Sequence, residues 1–547
     1  VGNKRKILGA CLGNCVHVAG VMNFLALAEE EGYETNFLGA AVPINILVEQ
    51  IEKEKPDIVA LSYRLTPEVA ESLLSDLKNQ IGQIKLSKTS FVFGGTEPVA
   101  KVAQDSKLFE HIFTPKSRTA DIILYLRQQV PTLSDEEMPQ DIVGRILHKR
   151  PYPVLRHHYG RPSLEETING IKQIAEACVL DVVSLGPDQN AQQFFFCQDK
   201  MDHSQSGAGG VPIRSGQDLH RLFQSTRYGN FPIMRCYSGT TNLVEMANLL
   251  KTTINNAWAA IPLCWYNVLD RRSERGVKES IVENLNAVEW HAKRNIPVEM
   301  NEPHHWGLRE AHDSIVVATA YLAAYNAKIR GVKHYVSQYM LNTPKKTNHL
   351  MDIAKTLAQI DMVESLHDKT FVSFRQIRAG LFSFPDNLDK AKGQLAASTY
   401  LAMSVKPDIY HVVGYSEGHH AAMASEVISS CNIAQQVIDV TVKGIPKITV
   451  DPRIAERRKQ LINEAKVIIE AIRMISEPDV KDPLTDAGTI ARAIQIGILD
   501  APHLAGNRYA KGSITTKEID GAYFAYDPIN KRVINEEERI HKILSKQ

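Results

Sequence analysis

The first 130 residues alternate two hydrophobic periods. Apolar runs of strand length recur at KRKILGACLG, YETNFLGA, DIVALSY, TSFVFGG and HIFTP. Between them lie the helical stripes GVMNFLALAEEEG, PINILVEQIEKEKP and PEVAESLLSDLKNQIG, and TADIILYLRQQV closes the series. Strands that feed helices in this way need crossover connections, which build a parallel sheet with helices on both faces. The pattern predicts a flavodoxin-like (Rossmann-like) α/β domain over 1–130.

PTLSDEEMPQD has turn formers and acids but no period, and reads as part of a linker over 131–150. From 151 to 480 the alternation resumes at larger scale. Candidate strands are CVLDVVSLG, NFPIMRCYSG, AWAAIPLC, IPVEMNEP, VKHYVSQYM, KTFVSFRQIRAG and PDIYHVVGYSEG. Helices such as SIVENLNAVEWHAKR and HDSIVVATAYLAAYNAKIRG separate them. Roughly eight βα units predict a (β/α)8 TIM barrel, with its chemistry at the C-terminal ends of the strands. Asp188, Arg235, Glu302, Arg378 and Glu417 close these strands. The long helix PRIAERRKQLINEAKVIIEAIRMI follows. A C-terminal extension over 481–547 carries GILDAPHLAGNRYAKG, too irregular for a core element.

The chain has 547 residues, 44% of them hydrophobic and 23% charged, so large cores are expected. A net charge of +1 gives no reason to expect nucleic acid or an anionic membrane as partner. No apolar run reaches the ~18 residues of a membrane span and no signal-peptide pattern is present, so the expectation is a soluble, cytoplasmic protein. The seven cysteines are scattered and form no C-x-x-C pair, which argues for reduced thiols and against a structural zinc site.

Candidate chemistry begins in GACLGNCVHVAGVMNF, residues 9–24, where His17 stands on a glycine-bordered loop between a strand and a helix. Ser62 and the pair Gly94-Gly95 also close strands of the same sheet, at the ends where open α/β sheets bind ligands. An imidazole can ligate a metal there, a hydroxyl can hydrogen-bond a buried base, and glycines let a flat ligand approach the backbone. The histidine pairs His157-His158, His304-His305 and His419-His420 invite a metal reading. Neighbours on a strand face opposite ways, however, so each pair gives at most one inward imidazole, and a substrate lining is expected instead.

Cys15-Val16-His17-Val18-Ala19-Gly20, Ser62-Tyr63-Arg64 and Gly94-Gly95 together resemble the cobalamin-binding domain of base-off/His-on B12 enzymes. That signature runs Asp-x-His-x-x-Gly, then Ser-x-Leu, then Gly-Gly. The resemblance implies that His17 is the lower axial ligand of cobalt. Cys15, Gly20, Ser62, Arg64, Gly94 and Gly95 would be its companions in cofactor binding. Two positions depart from the signature: Cys15 replaces the aspartate that orients the histidine, and Arg64 replaces the leucine, though Leu65 follows.

Residues 150–525 resemble the barrel subunit of the adenosylcobalamin-dependent glutamate mutase family, here with the small cobalamin subunit fused in front. The matches are GAGGVPIRSG, WYNV, NEPHHWG and GILDAPHLAGNRYAKG, in the family's order. The resemblance implies a radical carbon-skeleton mutase that uses adenosylcobalamin. Arg156 would lie beside the corrin, Arg235 and Tyr266 against the substrate, and Glu302 and Glu417 near the adenosyl ribose. Gln192 stands in place of a second substrate arginine and Ala260 in place of the glutamate that receives the substrate amine. Asp270 replaces a tyrosine that meets a carboxylate, and Gly414 or Val413 stands for a lysine beside the ribose. The substrate expected is therefore a small organic acid other than glutamate, with an uncharged or cationic group towards Asp270. A homodimer is expected. A corrinoid methyltransferase and a non-catalytic cobalamin-binding protein are the alternatives.

Overall fold

In a computed structural model, residues 5–84, 89–117, 119–126, 138–237 and 239–546 are described. The chain divides into two compact units, Val1–Thr132 and Leu133–Gln547.

The first unit is built on five parallel strands: β1 (Lys6–Leu12), β2 (Glu34–Val42), β3 (Ile58–Ser62), β4 (Ser90–Gly94) and β5 (His111–Phe113). Their order is β2-β1-β3-β4-β5. Apart from Lys6 at the start of β1 and Ser62 at the end of β3, both strands lack polar side chains because helices cover both faces of the sheet centre, and every residue of β3 is buried. Strand order reverses between β1 and β3, and the ends of those strands flank the crevice where such sheets take ligands. His17 follows β1 and Ser62 ends β3, so the topology delivers both to that crevice.

The second unit is a ring of eight parallel strands. They are β6 (Val154–Tyr159), β7 (Val182–Leu185), β8 (Ile233–Cys236), β9 (Ala259–Ile261), β10 (Val298–Met300), β11 (His334–Leu341), β12 (Val372–Ala379) and β13 (Ile409–His411). Hydrogen-bonded neighbours run β8-β7-β6-β13-β12-β11-β10-β9. The seam between β8 and β9 is bridged by the Ala257 N–H to Met234 O, 2.9 Å. The Asn256 side chain adds a second bridge by accepting from the Cys236 N–H, also at 2.9 Å. The expected α/β architecture of a flavodoxin-like domain and a TIM-like barrel is present.

Three local expectations differ from the structure. β6 is the strand missing from the seven candidates: Arg156 and His158 point into the barrel and interrupt its apolar run. Inside the expected linker, Ile142–Lys149 form a helix, N-capped by Asp141 accepting from Gly144 N at 2.9 Å. Its Ile142 and Ile146 join the core beneath the barrel with Trp258 and Val336. The C-terminal extension is also no loose tail, since Leu499, Ala501 and Leu504 are buried in the main barrel core. Asp500 pins it by accepting N–H groups from Ala501, Gly512, Ser513 and Ile514 at 2.9–3.1 Å. The last strands, β14 (Thr516–Ile519), β15 (Ala522–Asp527) and β16 (Arg532–Val533), form a small antiparallel sheet.

Candidate cofactor and substrate cavities

In the first unit, His17, Gly20, Ser62, Arg64, Gly94 and Gly95 all line one cavity of ≈ 380 Å³ at the strand ends. The His17 ring is exposed. Its loop is held from below, where the Cys11 thiol donates to His17 O (3.6 Å) and meets Ser62 Oγ (3.5 Å). The Cys15 amide donates to Leu12 O, 3.0 Å, and Cys15 O accepts from the Ala41 N–H, 3.0 Å. Cys15 itself is buried, behind rather than in the cavity, with Sγ 3.9 Å from His17 Nδ1. The glycines divide into two kinds. A Cβ on Gly20 or Gly94 would meet nothing within 4 Å, so those two leave open space. A Cβ on Gly95 would lie 2.8 Å from Tyr63 O, so this glycine lets two backbone segments pass.

The second cavity, ≈ 470 Å³, lies in the mouth of the barrel. Arg156, Arg235, Arg272 and Arg378 line it, against the single carboxylate of Glu299. Glu299 Oε2 lies 3.7 Å from Arg156 Nη1 and 3.6 Å from Arg235 Nη2, and accepts from Trp258 Nε1 at 2.8 Å. Both guanidinium groups also face the Trp258 ring, at 5.6 and 5.2 Å. Burial together with Arg235 lowers Arg156 to about 9.

The polar network has a forced direction, because arginine only donates and a carboxylate only accepts. Arg156 Nη1 donates to Gln376 Oε1, 2.8 Å. The Gln376 amide then donates to Glu299 (3.1 Å) and Gln338 Oε1 (3.0 Å). Gln338 in turn donates to His304 Nδ1, 2.7 Å. His304 is thereby left to present its Nε2–H. His158 Nε2 accepts from Arg156 (2.8 Å) and Tyr237 OH (3.1 Å). Burial first, and then the neighbouring arginines, push His158, His304 and His411 well below the usual histidine range. These imidazoles are neutral, so the mouth has an excess of positive charge. Arg235 Nε and Nη1 are buried without a hydrogen-bond partner. Such donors are costly unless a ligand completes them.

A scan against family models matches one domain. Residues 5–110 match the B12 binding domain. No curated protein matches the chain. Among solved structures, the chain is similar to a novel cobalamin-binding protein from Desulfitobacterium hafniense DCB-2, at 25% identity and a TM-score of 0.20. The match covers 23% of this chain and 60% of that protein's length. It is also similar to the apo form of the cobalamin-dependent S-adenosylmethionine radical enzyme OxsB, at 11% identity and a TM-score of 0.19. That match covers 90% of this chain and 71% of that one. The cobalamin assignment rests on the domain match and on the geometry.

The residues present fit the cofactor. The B12-binding domain offers an exposed imidazole at the mouth of a cavity, a buried hydroxyl at Ser62, and two glycines whose missing side chains leave a cradle open. Cys15 is the weak element: a thiol 3.9 Å from Nδ1 cannot fix the ring as a carboxylate would.

In the barrel, Arg235, Tyr266 and Arg156 line the mouth together, as does Gln192. Asp270, Glu302 and Glu417 do not line it. Glu302 is fully buried and accepts from Leu263 N (2.7 Å), Cys264 N (2.9 Å) and Trp306 Nε1 (2.8 Å), so its carboxylate is used in holding the loop after β9. Asp270 accepts from Tyr266 N (3.1 Å) and Asn267 N (3.0 Å) and lies 3.9 Å from Arg309. Its carboxylate is therefore engaged by backbone N–H groups of its own loop. Glu417 Oε1 accepts from Gly414 N at 2.8 Å and lies 3.2 Å from His157 Nε2, behind β6. His304 and His305 both line the mouth, because they sit on the short helix Glu302–Gly307 rather than on a strand. Among the described residues no group of three or more His, Cys, Asp or Glu could hold a metal ion. No helix among them is long and apolar enough to cross a membrane. Sequence reasoning missed Glu299, Gln376, Trp258 and Tyr237. Polar residues inside apolar strands, as in VEM and FRQI, were the available signal.

Proposed function

We propose that this protein is an adenosylcobalamin-dependent radical carbon-skeleton mutase of the glutamate mutase type, acting on a substrate other than glutamate that presents a carboxylate to the barrel mouth. The observation that carries the substrate class is Arg235, a buried guanidinium with two unpartnered donor nitrogens in the barrel mouth. A carboxylate matches that planar fork and offsets the excess positive charge. Bound adenosylcobalamin supplies a carbon-centred radical through homolysis of its Co–C bond. The chain's own groups then hold and orient the substrate: Arg235 and Arg378 as cations, His304 as a neutral Nε2–H donor, and Tyr266 as a phenol. Burial raises that phenol to about 12, so it stays protonated. Gln192 in the lining supplies an amide where a glutamate site carries a cation, which disfavours a second carboxylate there.

In the test, protein reconstituted with adenosylcobalamin in the dark is mixed with candidate acids and read by electron paramagnetic resonance. A substrate-dependent radical signal supports the mutase. A methyl-transfer cycle, or silence with every acid, replaces it with one of the alternatives, and efficient turnover of glutamate overturns the substrate reading. His17→Ala should keep the fold, since the ring is exposed, but lose the nitrogen splitting of the bound cofactor's spectrum. An unchanged spectrum removes His17 as ligand. Cys15→Asp should tighten cofactor binding about tenfold or more, as a charged partner for the ring would.

A further inference from the structure

We propose that a basic cleft beside the barrel mouth binds the phosphate-bearing part of an extended substrate, whose carboxylate end enters the mouth. The inference rests on the mouth being the substrate cavity. The cleft, ≈ 1200 Å³, is built by the loops after β7, β8 and β9 and by the segment around Gly506–Tyr509. Lys200, Arg271, Arg272, Arg275 and Arg508 line it, against one acid, Glu274. Arg275 is engaged by Glu283 and by Tyr266 O, so its charge is already matched. Among the described residues, Lys200, Arg271, Arg272 and Arg508 pair with no carboxylate. Arg272 lies over the Tyr266 ring at 4.9 Å and lines both cavities, so cleft and mouth adjoin.

The cleft wall is rigidly built. Tyr266 and Arg271 are left-handed, with φ of 68° and 61°, a backbone that side chains rarely adopt unless their surroundings hold it. Here Asp270 holds it, accepting from the amides of Tyr266, Asn267 and Arg272 at 3.0–3.4 Å. Ser273 Oγ donates to Tyr266 O at 2.8 Å, and the Asn507 amide ties the C-terminal segment to Val268 O and Leu269 O at 3.3 and 3.1 Å. Two consecutive arginines are thus displayed on a turn ordered before any ligand arrives. Asp270 positions them, although it touches no substrate itself. Several unmatched guanidinium groups and an ammonium around one concavity fit a phosphate or diphosphate, which presents many acceptor oxygens and more than one charge. A small acid would fill only the mouth, whereas the cleft has room for a ligand of cofactor size.

The test titrates inorganic diphosphate into the full chain without cobalamin, by calorimetry at low and moderate salt. Saturable binding that weakens with salt is expected. It should weaken about tenfold or more when Arg271→Gln and Arg508→Gln are combined. Glu274→Gln should strengthen it, a gain that misfolding cannot imitate. ADP and phosphopantetheine, titrated in parallel, separate a nucleotide from a phosphorylated acyl-carrying arm, and tighter binding of either supports the proposal. No diphosphate binding, or equal binding by all variants, overturns it. Butyrate, a monocarboxylate, serves as the probe of the mouth: its binding should survive the cleft substitutions and be lost in Arg235→Gln, while that variant still binds diphosphate. Butyrate binding indifferent to Arg235→Gln overturns the mouth reading instead.

Discussion

The two strand-end cavities solve opposite problems. In the first unit no Asp, Glu, Lys or Arg is buried among the described residues, and the cavity depends on shape, two absent side chains and one exposed imidazole. In the barrel mouth Arg156, Arg235 and Glu299 are each about 1% exposed. The first arrangement costs the fold little and can be emptied without strain. The second stores electrostatic cost in the folded state, with one carboxylate and one indole facing both guanidinium groups to offset it.

The largest expected effect follows from removing that carboxylate. Glu299→Leu leaves two buried guanidinium groups without a counter-charge, and stability should fall by about 3–5 kcal/mol in urea unfolding of the barrel transition. A loss below about 1 kcal/mol would mean that water reaches the mouth freely and would erase the contrast. Next comes acid sensitivity. Burial, partly opposed by Glu536, holds His312 down to about 4, below its ordinary 6.5. Between these values the unfolded chain binds a proton that the folded chain refuses, so stability is lost as pH falls from about 6.5 to 4. From pH 7 to 4.5, wild type should lose roughly 2–3 kcal/mol more than His312→Gln. Equal losses would show the histidine solvated in the native state. The smallest effect sharpens the first cavity. Gly95→Ala should cost about 1–3 kcal/mol through its clash with Tyr63 O. Gly94→Ala should leave the melting temperature alone and weaken corrinoid binding. If both substitutions act only on stability, the cavity is not a ligand cradle.

Much of the frame was legible because it depends on period. The five strands of the first sheet follow apolar runs, and parallel topology brings residues at the ends of separate strands to one crevice. That is why His17, Ser62 and Gly94 meet there. What escaped is polarity turned inward. β6 was hidden because Arg156 and His158 stand where an apolar alternation was sought, and Glu299 is a lone acid between Val298 and Met300. The acids at strand ends mislead in the other direction. Sequence cannot show whether a carboxylate faces a cavity or the N–H groups of its own loop, and Glu302 and Asp270 do the latter. The helix Ile142–Lys149 escaped because the acids and turn formers just before it drew the whole stretch into the linker.

A ring is as strong as its weakest joint. β11 and β12 pair along eight residues, from His334 with Val372 to Leu341 with Ala379. At the β8–β9 seam, Ala257 and the Asn256 side chain provide the bridging hydrogen bonds. Thermal opening therefore has a preferred place, and amide protons of β8 and β9 should exchange with deuterium well before those of β11 and β12. Arg235 stands on β8, so the strand carrying this buried guanidinium belongs to the part of the barrel wall that gives first.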